Sequence, residues 1–516
     1  MSDLKEVLLS EIEGFRVIGH KFLNKEISMM EFKHASGGMG VYAHRGGEKF
    51  MVRLRIPSGI TDIRELKLIR DITERYNLGG FHLTTRQAIQ LHGLDFDSIC
   101  DVIKEALDLD IYTRGSGGNF PRNVAISPLS GVDKDEAFDV TPYAVATGNY
   151  FLERIYTYKL PRKLKVSFSS SEEDGAHCTV QDLGFLAVKK DGKESFEVYL
   201  GGGLGKNSKI AVKLKELIDL SDVLYYVEGM VSMFKAEGDY ENKNKARVRY
   251  ILDRMGEEEF LKCYTKHVNE AKDKGGFDLK VEPKVYNKKG IVIDTKHPRL
   301  YSQKQEGLYS VYLHPTGGQL TLEQLNAILK ELENCDDAEV RLSMSEGVWF
   351  RNLNGEEAKK LLKVTQGMGG ETSLEQSISC IGVPTCQMGI ANSQGTLNNI
   401  IEYFKSKNFN EDILPQVHLS GCINSCGVHE IGKIGFIGKK KRVNDKVEEC
   451  FELHIGGSYG ALNVKFGKVY GDLLSVEIPK FLYELALFLK EENIEFGEFI
   501  KNREIEFQGL VNKYLV

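Results

Sequence analysis

Residues 160–190, LPRKLKVSFSSSEEDGAHCTVQDLGFLAVKK, continue to FEVYLGGGLG at 196–205; residues 414–441, LPQVHLSGCINSCGVHEIGKIGFIGKKK, continue to FELHIGGSYG at 451–460. The second stretch is a diverged copy of the first. Leu160 aligns with Leu414, Phe185 with Phe436 and Gly201 with Gly456, at separations of 254, 251 and 255 residues, so two small gaps suffice. Upstream, NVAISPLSG at 123–131 lies against SCIGVPTCQMG at 379–389, with Pro128 facing Pro384. Further upstream, KFMVRLRIPSGITDIRELKLIRDITER at 49–75 matches YSVYLHPTGGQLTLEQLNAILKELEN at 309–334; downstream, MVSMFKAE at 230–237 matches ALFLKEE at 486–492. The chain is a tandem duplication with a period near 255 residues.

Each copy opens with strand, helix and hairpin signals. Phe50, Val52, Leu54 and Ile56 alternate with Met51, Arg53 and Arg55, the period of a half-buried strand. A helix is expected from about Thr61 to the Asn77-Leu78-Gly79-Gly80 stop, and FHLTTRQAIQLHGL reads as a hairpin with polar turn residues. Longer helices, at Asp222–Lys235 and Pro479–Lys490, mix with Val/Ile-rich strands in the remainder of each copy. This is an α+β pattern, duplicated into a pseudo-twofold pair.

The chain has 516 residues, enough at about 150 per domain for three to four domains. Its 41% hydrophobic and 28% charged content is that of a globular protein. A net charge of −6 argues against a general nucleic-acid binder, so any basic site must be local. The longest apolar candidate, Phe481–Phe488, is interrupted by Glu484, and MSDLKEVLLSEIEGF carries no signal pattern. No membrane or nucleic-acid partner is expected, and the location expected is cytoplasmic.

The two copies differ in what they carry. Of nine cysteines, Cys380, Cys386, Cys422 and Cys426 cluster as C-x5-C and C-x3-C beside Gly382, Pro384, Gly421 and Gly427. By the alignment their places in copy one are Val124, Ser130, Ser171 and Gly175. Four thiolates can hold a [4Fe–4S] cluster, a zinc ion or two disulfides; x5 suits zinc poorly, and a reducing cytosol disfavours disulfides. Copy one instead carries Arg122, Lys163 and Lys165, aligned with Ile378, Val417 and Leu419. Lys163 and Lys165 share one face of an extended segment and Arg53 and Arg55 another; Lys243, Lys245, Arg247 and Arg249 make a third alternating row. Each row alone reads as a solvated edge. Three of them in an acidic chain point to an anionic substrate or polyanionic ligand. The GGGLG at 201–205 fits neither nucleotide fingerprint, and close backbone packing explains it.

Taken together, VRLRIPSG, LTTRQAIQLHG, PRNV, LPRKLK, GGGLG and the cysteine pairs resemble the siroheme-dependent sulfite and nitrite reductases over nearly the whole chain. The resemblance implies an α+β, tandem-duplicated, pseudo-twofold fold. Residues 45–114 and 304–370 would be paired ferredoxin-like half-domains, after an N-terminal extension at 1–44. Residues 115–303 would form a first siroheme domain with the cationic pocket, and 371–516 a second with the cluster cysteines. It implies siroheme and a [4Fe–4S] cluster as cofactors. Cys380, Cys386, Cys422 and Cys426 would be the cluster ligands, Cys426 also axial to the siroheme iron. Arg53, Arg122, Lys163 and Lys165 would be the catalytic cations. Arg55, Thr84, Arg86, Gln90, His92, Asn123, Arg162, Arg247, Arg249 and Asn424 would hold the cofactors. Copy two departs from the family turn at Ser345-Glu346-Gly347, and no Cys-rich segment corresponds to the extra ferredoxin domain of dissimilatory relatives.

The activity implied is six-electron reduction of sulfite to sulfide, with nitrite to ammonia as the alternative. Lys165 favours sulfite, because plant-type nitrite reductases resemble LPRKWN at this place. No flavin or nicotinamide motif is present, so electrons would come from ferredoxin or a flavoprotein subunit. A non-enzymatic cluster protein for electron transfer or sensing would not need the paired cations.

Overall fold

A computed structural model describes residues 2–516. The duplication is visible as two pairs of matching sheets. In the first pair, strand Phe50–Leu54 lies between Val41–Ala43 and Ile89–Leu94, followed by Gly80–Leu83. The counterpart sheet orders Leu300–Ser302, Leu308–Leu313, Val348–Asn354 and Glu339–Leu342. Each sheet is completed by the other copy. Gln319–Thr321 pairs with Gly80–Leu83, and Ile60–Thr61 pairs with Glu339–Leu342. One apolar core runs through both sheets, from Leu54 and Ile69 to Phe350 and Leu361, so neither half buries its strands alone.

The expected helix runs Ile63–Arg75, where Asp62 caps Glu65 N and Leu66, Ile69 and Ile72 face the core. Val41–Ala43, inside the expected N-terminal extension, is an edge strand with Val41 opposite Val52. Ahead of it, Phe15 and Phe32 pack on Phe96, which ties helices Ser2–Leu23 and Met29–Gly37 to the same core.

The second pair of sheets forms the larger units. Ala125–Ile126, Val166–Ser169 and Leu183–Lys190 are parallel, then Lys193–Leu200 and Val212–Lys213 return antiparallel. Ile378–Ser379, Val417–Ser420 and Ile434–Val443 repeat the parallel run before Lys446–Ile455 and Lys468–Leu474. The helices expected here are Val223–Glu237 and Ile478–Glu491.

Matching strands correct the sequence alignment by a few residues. Val166–Ser169 superposes in role on Val417–Ser420, so Lys163 and Lys165 correspond to Leu414 and Gln416, not to Val417 and Leu419. Likewise Ala125–Ile126 corresponds to Ile378–Ser379, which makes Ser127, not Val124, the counterpart of Cys380 and leaves Ile378 opposite Ala125 rather than Arg122. A hydrogen bond confirms the pairing: Ser127 Oγ accepts from Ser170 N at 3.1 Å, as Cys380 Sγ accepts from Gly421 N at 3.1 Å. Even left-handed backbone is repeated, with Asp174 and His177 (φ 56° and 55°) answered by Ser425 and Val428 (53° and 49°). A β-branched residue such as Val428 adopts that conformation only where the surroundings over-determine it.

The copies are stitched by hairpin turns. Gln87, buried at φ 51°, donates to Ile126 O (2.9 Å) and Leu342 O (2.7 Å) and accepts from Ile126 N (2.9 Å). Gln87→Leu strands these buried backbone groups and should destabilise the fold by about 2–4 kcal/mol, read as a lower urea midpoint.

Candidate cluster and anion site

The site lies where the copy-one hairpin, the copy-one cationic segment and the copy-two cysteine loops meet. Thr85 Oγ1 in the hairpin turn donates to Cys426 O at 2.8 Å, and Gly205 N in GGGLG donates to Glu430 Oε1 at 2.6 Å. A side chain at Gly205 (φ 100°) would press on the Ile423 and Asn424 carbonyls, so close packing does account for this glycine run.

The four clustered thiols are brought together. Burial raises Cys380 to about 12, with Cys426 and Cys422 adding to the shift. Burial also raises Cys422 and Cys426; Cys386 is among the further causes for both. Cys380 Sγ lies 3.3 Å from Ser393 Oγ, and Asn424 Nδ2 donates to Cys422 Sγ at 3.4 Å. Among the described residues no three His, Cys, Asp or Glu groups close on a single-ion site. Cys426 is exposed to solvent within the recess and faces Lys163 and Lys165, both of which act on its ionisation.

Opposite the thiols stand the cations, and their manner of holding matters. Arg53 Nη1 donates to Ser116 O (2.9 Å); Arg122 donates to the same carbonyl and to Gly118 O (2.7 Å). Arg86 reaches Val166 O (2.7 Å) and Gln181 Oε1 (3.1 Å), Arg55 reaches Pro121 O and Arg122 O (3.4 and 3.3 Å), and Arg249 reaches Lys206 O (2.7 Å). Carbonyls take some of the guanidinium donors without cancelling their charge. The ammonium groups of Lys163 and Lys165 have no hydrogen-bond acceptor or carboxylate in reach among the described residues. Burial lowers both, then neighbouring cations lower them further: Lys165 first by Arg86, to about 7, and Lys163 first by Lys165.

Several sequence expectations change in detail. Lys163 and Lys165 precede the strand Val166–Ser169 instead of lying in it, although Leu164 and Val166 stay buried between and beside them. The third basic row is broken: Lys243 and Lys245 are exposed, while Arg247 and Arg249 are buried as helix Val248–Met255 begins. Asn123 spends its amide on Ile56 O, Gln87 O and Ser58 N, and Thr84 Oγ1 accepts from Arg86 N and Ala88 N; both build the turn. Gln90 accepts from Arg53 Nε (3.0 Å) and donates to His92 Nε2 (3.2 Å), whose other nitrogen meets His44 at 3.2 Å. Arg162 is half-buried beside Arg247.

Sequence reading missed Asp182 and Tyr42. Asp182, fully buried, binds Arg247 bidentately (2.8–3.1 Å) and accepts from Lys165 N at 2.8 Å. In sequence, it follows Gln181 at the turn into Leu183–Lys190, with nothing to mark it out. The Tyr42 phenol accepts from Gly118 N (3.1 Å) and faces Arg122 and Arg53, which pull its pKa down despite burial. In copy two the places of Arg53, Gln90 and His92 are taken by Tyr312, Trp349 and Arg351, and Trp349 packs edge-on to Tyr301 and tilted against Tyr312. The copy-two position thus lacks the counterpart of Arg53 and is filled by aromatic rings.

A family model for the nitrite and sulphite reductase 4Fe-4S domain matches residues 117–272, and one for the nitrite/sulfite reductase ferredoxin-like half domain matches 42–109 and 301–367. The chain belongs to the nitrite and sulfite reductase family. Its half-domains are the paired sheets that exchange strands, and the segment matched to the 4Fe-4S domain is the copy that carries the cations. Similar proteins include a ferredoxin–nitrite reductase of Leptolyngbya laminosa (27% identical, 87% of this chain and 88% of that protein) and the chloroplastic one of Arabidopsis thaliana (25%, 88% and 78%). The Mycobacterium tuberculosis NirA protein shares the fold, with a TM-score of 0.73 at 20% identity over 88% of this chain and 86% of that one.

The protein is thus an oxidoreductase whose cofactors are siroheme and a [4Fe–4S] cluster. The residues fit both. Free thiols meet across a recess edge, and a surplus of uncancelled positive charge, with buried Nε atoms of Arg86, Arg122 and Arg249 still unpartnered, suits a macrocycle bearing eight carboxylates. No helix among the described residues is long and apolar enough to cross a membrane. Asp182→Asn leaves the Arg247 charge buried without its counter-ion and should cost about 3–5 kcal/mol, measurable by chemical denaturation of the holoprotein.

Proposed function

We propose that the protein reduces nitrite to ammonia with six electrons from ferredoxin. The observation that carries this is the set of relatives: those from a cyanobacterium, a plant and the archaeon Haloferax mediterranei are named as ferredoxin-dependent nitrite reductases, and each alignment spans 87% or more of this chain. This reverses the preference for sulfite drawn from Lys165. Sulfite remains the second reading on that residue alone, since a dianion gains more than a monoanion from a further cation.

In this reading Cys380, Cys386, Cys422 and Cys426 would hold the cluster, and Cys426 would link it to the siroheme. Arg55, Arg86, Arg162, Arg247 and Arg249 neutralise the siroheme carboxylates, with Gln90 and His92 beside them. Bound there, the two groups supply electrons and an iron that takes the anion. Arg53, Arg122, Lys163 and Lys165 then face the anion. Their positive charge stabilises the negative charge that each added electron brings. Six electrons and eight protons turn nitrite into ammonium and two waters. Lys165, lowered to about 7, can give up a proton near neutral pH and regain it from solvent.

Steady-state rates with nitrite and with sulfite, using one reduced ferredoxin, test the assignment; faster sulfite turnover would overturn it. Lys165→Asn removes one charge-assisted contact, about 1.5–3 kcal/mol or roughly 10- to 150-fold. Sulfite turnover should fall by that order and nitrite turnover by less, at equal siroheme occupancy. Cys426→Ser should lose iron and perturb the visible spectrum, whereas Cys263→Ser, half-buried on helix Glu257–Lys274 away from the cysteine loops, should change neither.

A further inference from the structure

Glu346 is a buried carboxyl that the reaction does not use. It sits in the turn between Glu339–Leu342 and Val348–Asn354, left-handed at φ 66°, with 1% of its surface exposed. Its counterpart in copy one is Gln87, in the same turn of the matching hairpin. The surroundings match as well. A Cβ on Gly59 would meet Gln87 and the Leu342 carbonyl; one on Gly318 would meet Glu346 and the Leu83 carbonyl. Gln87 accepts from Ile126 N with its oxygen and donates to Leu342 O with its nitrogen. Glu346 Oε2 accepts from Ser379 N at 2.8 Å, the same ladder position one residue before Cys380. Its second oxygen therefore occupies the place where Gln87 carries a donor.

A carboxylate there would face a carbonyl with no cation to answer it. His82 Nε2, from the strand Gly80–Leu83, lies 3.8 Å from Glu346 Oε1, beyond hydrogen-bond range. Burial, with Arg53 adding, holds its pKa near 3. His314, from the end of Leu308–Leu313, binds the Ser345 carbonyl at 2.5 Å, and Gln394 from helix Ser393–Ser406 already serves Ser379 O at 2.6 Å. Burial pushes the Glu346 carboxyl well above the usual range, although the bond from Ser379 N pulls the other way.

We propose that Glu346 is carried as a neutral carboxylic acid that mimics Gln87, its proton directed to the Leu83 carbonyl, and that it is a positioning residue for the strand delivering Cys380. One oxygen anchors Ser379 N; the protonated one closes the link to the copy-one half-domain. The neutral state also keeps a negative charge away from the thiolate-bound cluster. The positioning role rests on Cys380 being a cluster ligand; the protonation state does not.

The test uses the full chain purified with its cofactors. With carbon-13-labelled glutamate, the infrared spectrum of wild type minus Glu346→Gln at neutral pH should contain one isotope-shifted neutral-carboxyl band. Glu346→Gln should keep the wild-type iron content and reduced-cluster electron paramagnetic resonance signal, whereas Glu346→Leu should lose most of its iron. An ionised-carboxylate band in place of the neutral one overturns the protonation state. Loss of the cluster signal in the Gln variant, or its full retention in the Leu variant, overturns the positioning role. Cys380→Ser is the control for the underlying assignment: should it keep the intact cluster while the neutral band is present, the ligand assignment fails and the neutral acid stands.

Discussion

The structure depends on crowding positive charge without cancelling it. Arg53, Arg55, Arg86, Arg122 and Arg249 are held by backbone carbonyls, which take some of their donors and leave the charge available. Asp182 is the exception, and it is spent on Arg247 and on the Lys165 backbone. Like charges brought this close repel, which lowers the Lys163 and Lys165 pKa values beyond the effect of burial. An anion that binds such a pocket relieves this repulsion, so its binding adds to the stability of the fold.

The pseudo-twofold arrangement explains how one scaffold supports so asymmetric a site. Each copy supplies the same hairpin, the same crossing strands and the same left-handed turns. Where copy one places Ser127 and Gly175, copy two places Cys380 and Cys426; where copy one places Arg53 and Gln90, copy two places Tyr312 and Trp349. One recess gains thiols from one side and cations from the other, and its pseudo-twofold counterpart fills with aromatic rings. Strand exchange between the half-domains joins the two copies through one apolar core, and the Thr85–Cys426 hydrogen bond ties the copy-one hairpin to the cysteine loop.

The helix Ile63–Arg75, the hairpin at 80–94 and the late helices follow hydrophobic periodicity and stop signals, and those were legible. The exact register between copies was not. Short conserved-looking landmarks such as Leu160 and Leu414 lie in loops, where insertions slide freely, whereas the ladders around Val166 and Val417 admit one pairing. The alternation Lys243–Arg249 misled because a period of two in charge alone cannot distinguish a strand from a loop that runs into a helix. Glu346 read as a departure from the family turn and proves to be the partner of Gln87.

By itself the sequence determined the duplication, the α+β class, the cysteine quartet and the excess of cations in copy one, because these rest on residue identity and short-range spacing. Only the tertiary structure decided which cations converge, that carbonyls rather than carboxylates hold them, and that Asp182, Tyr42 and Thr85 join the site. Those facts depend on contacts between residues far apart in the chain, such as Thr85 with Cys426, and on burial, which sets whether a charge is screened by water or felt by its neighbours.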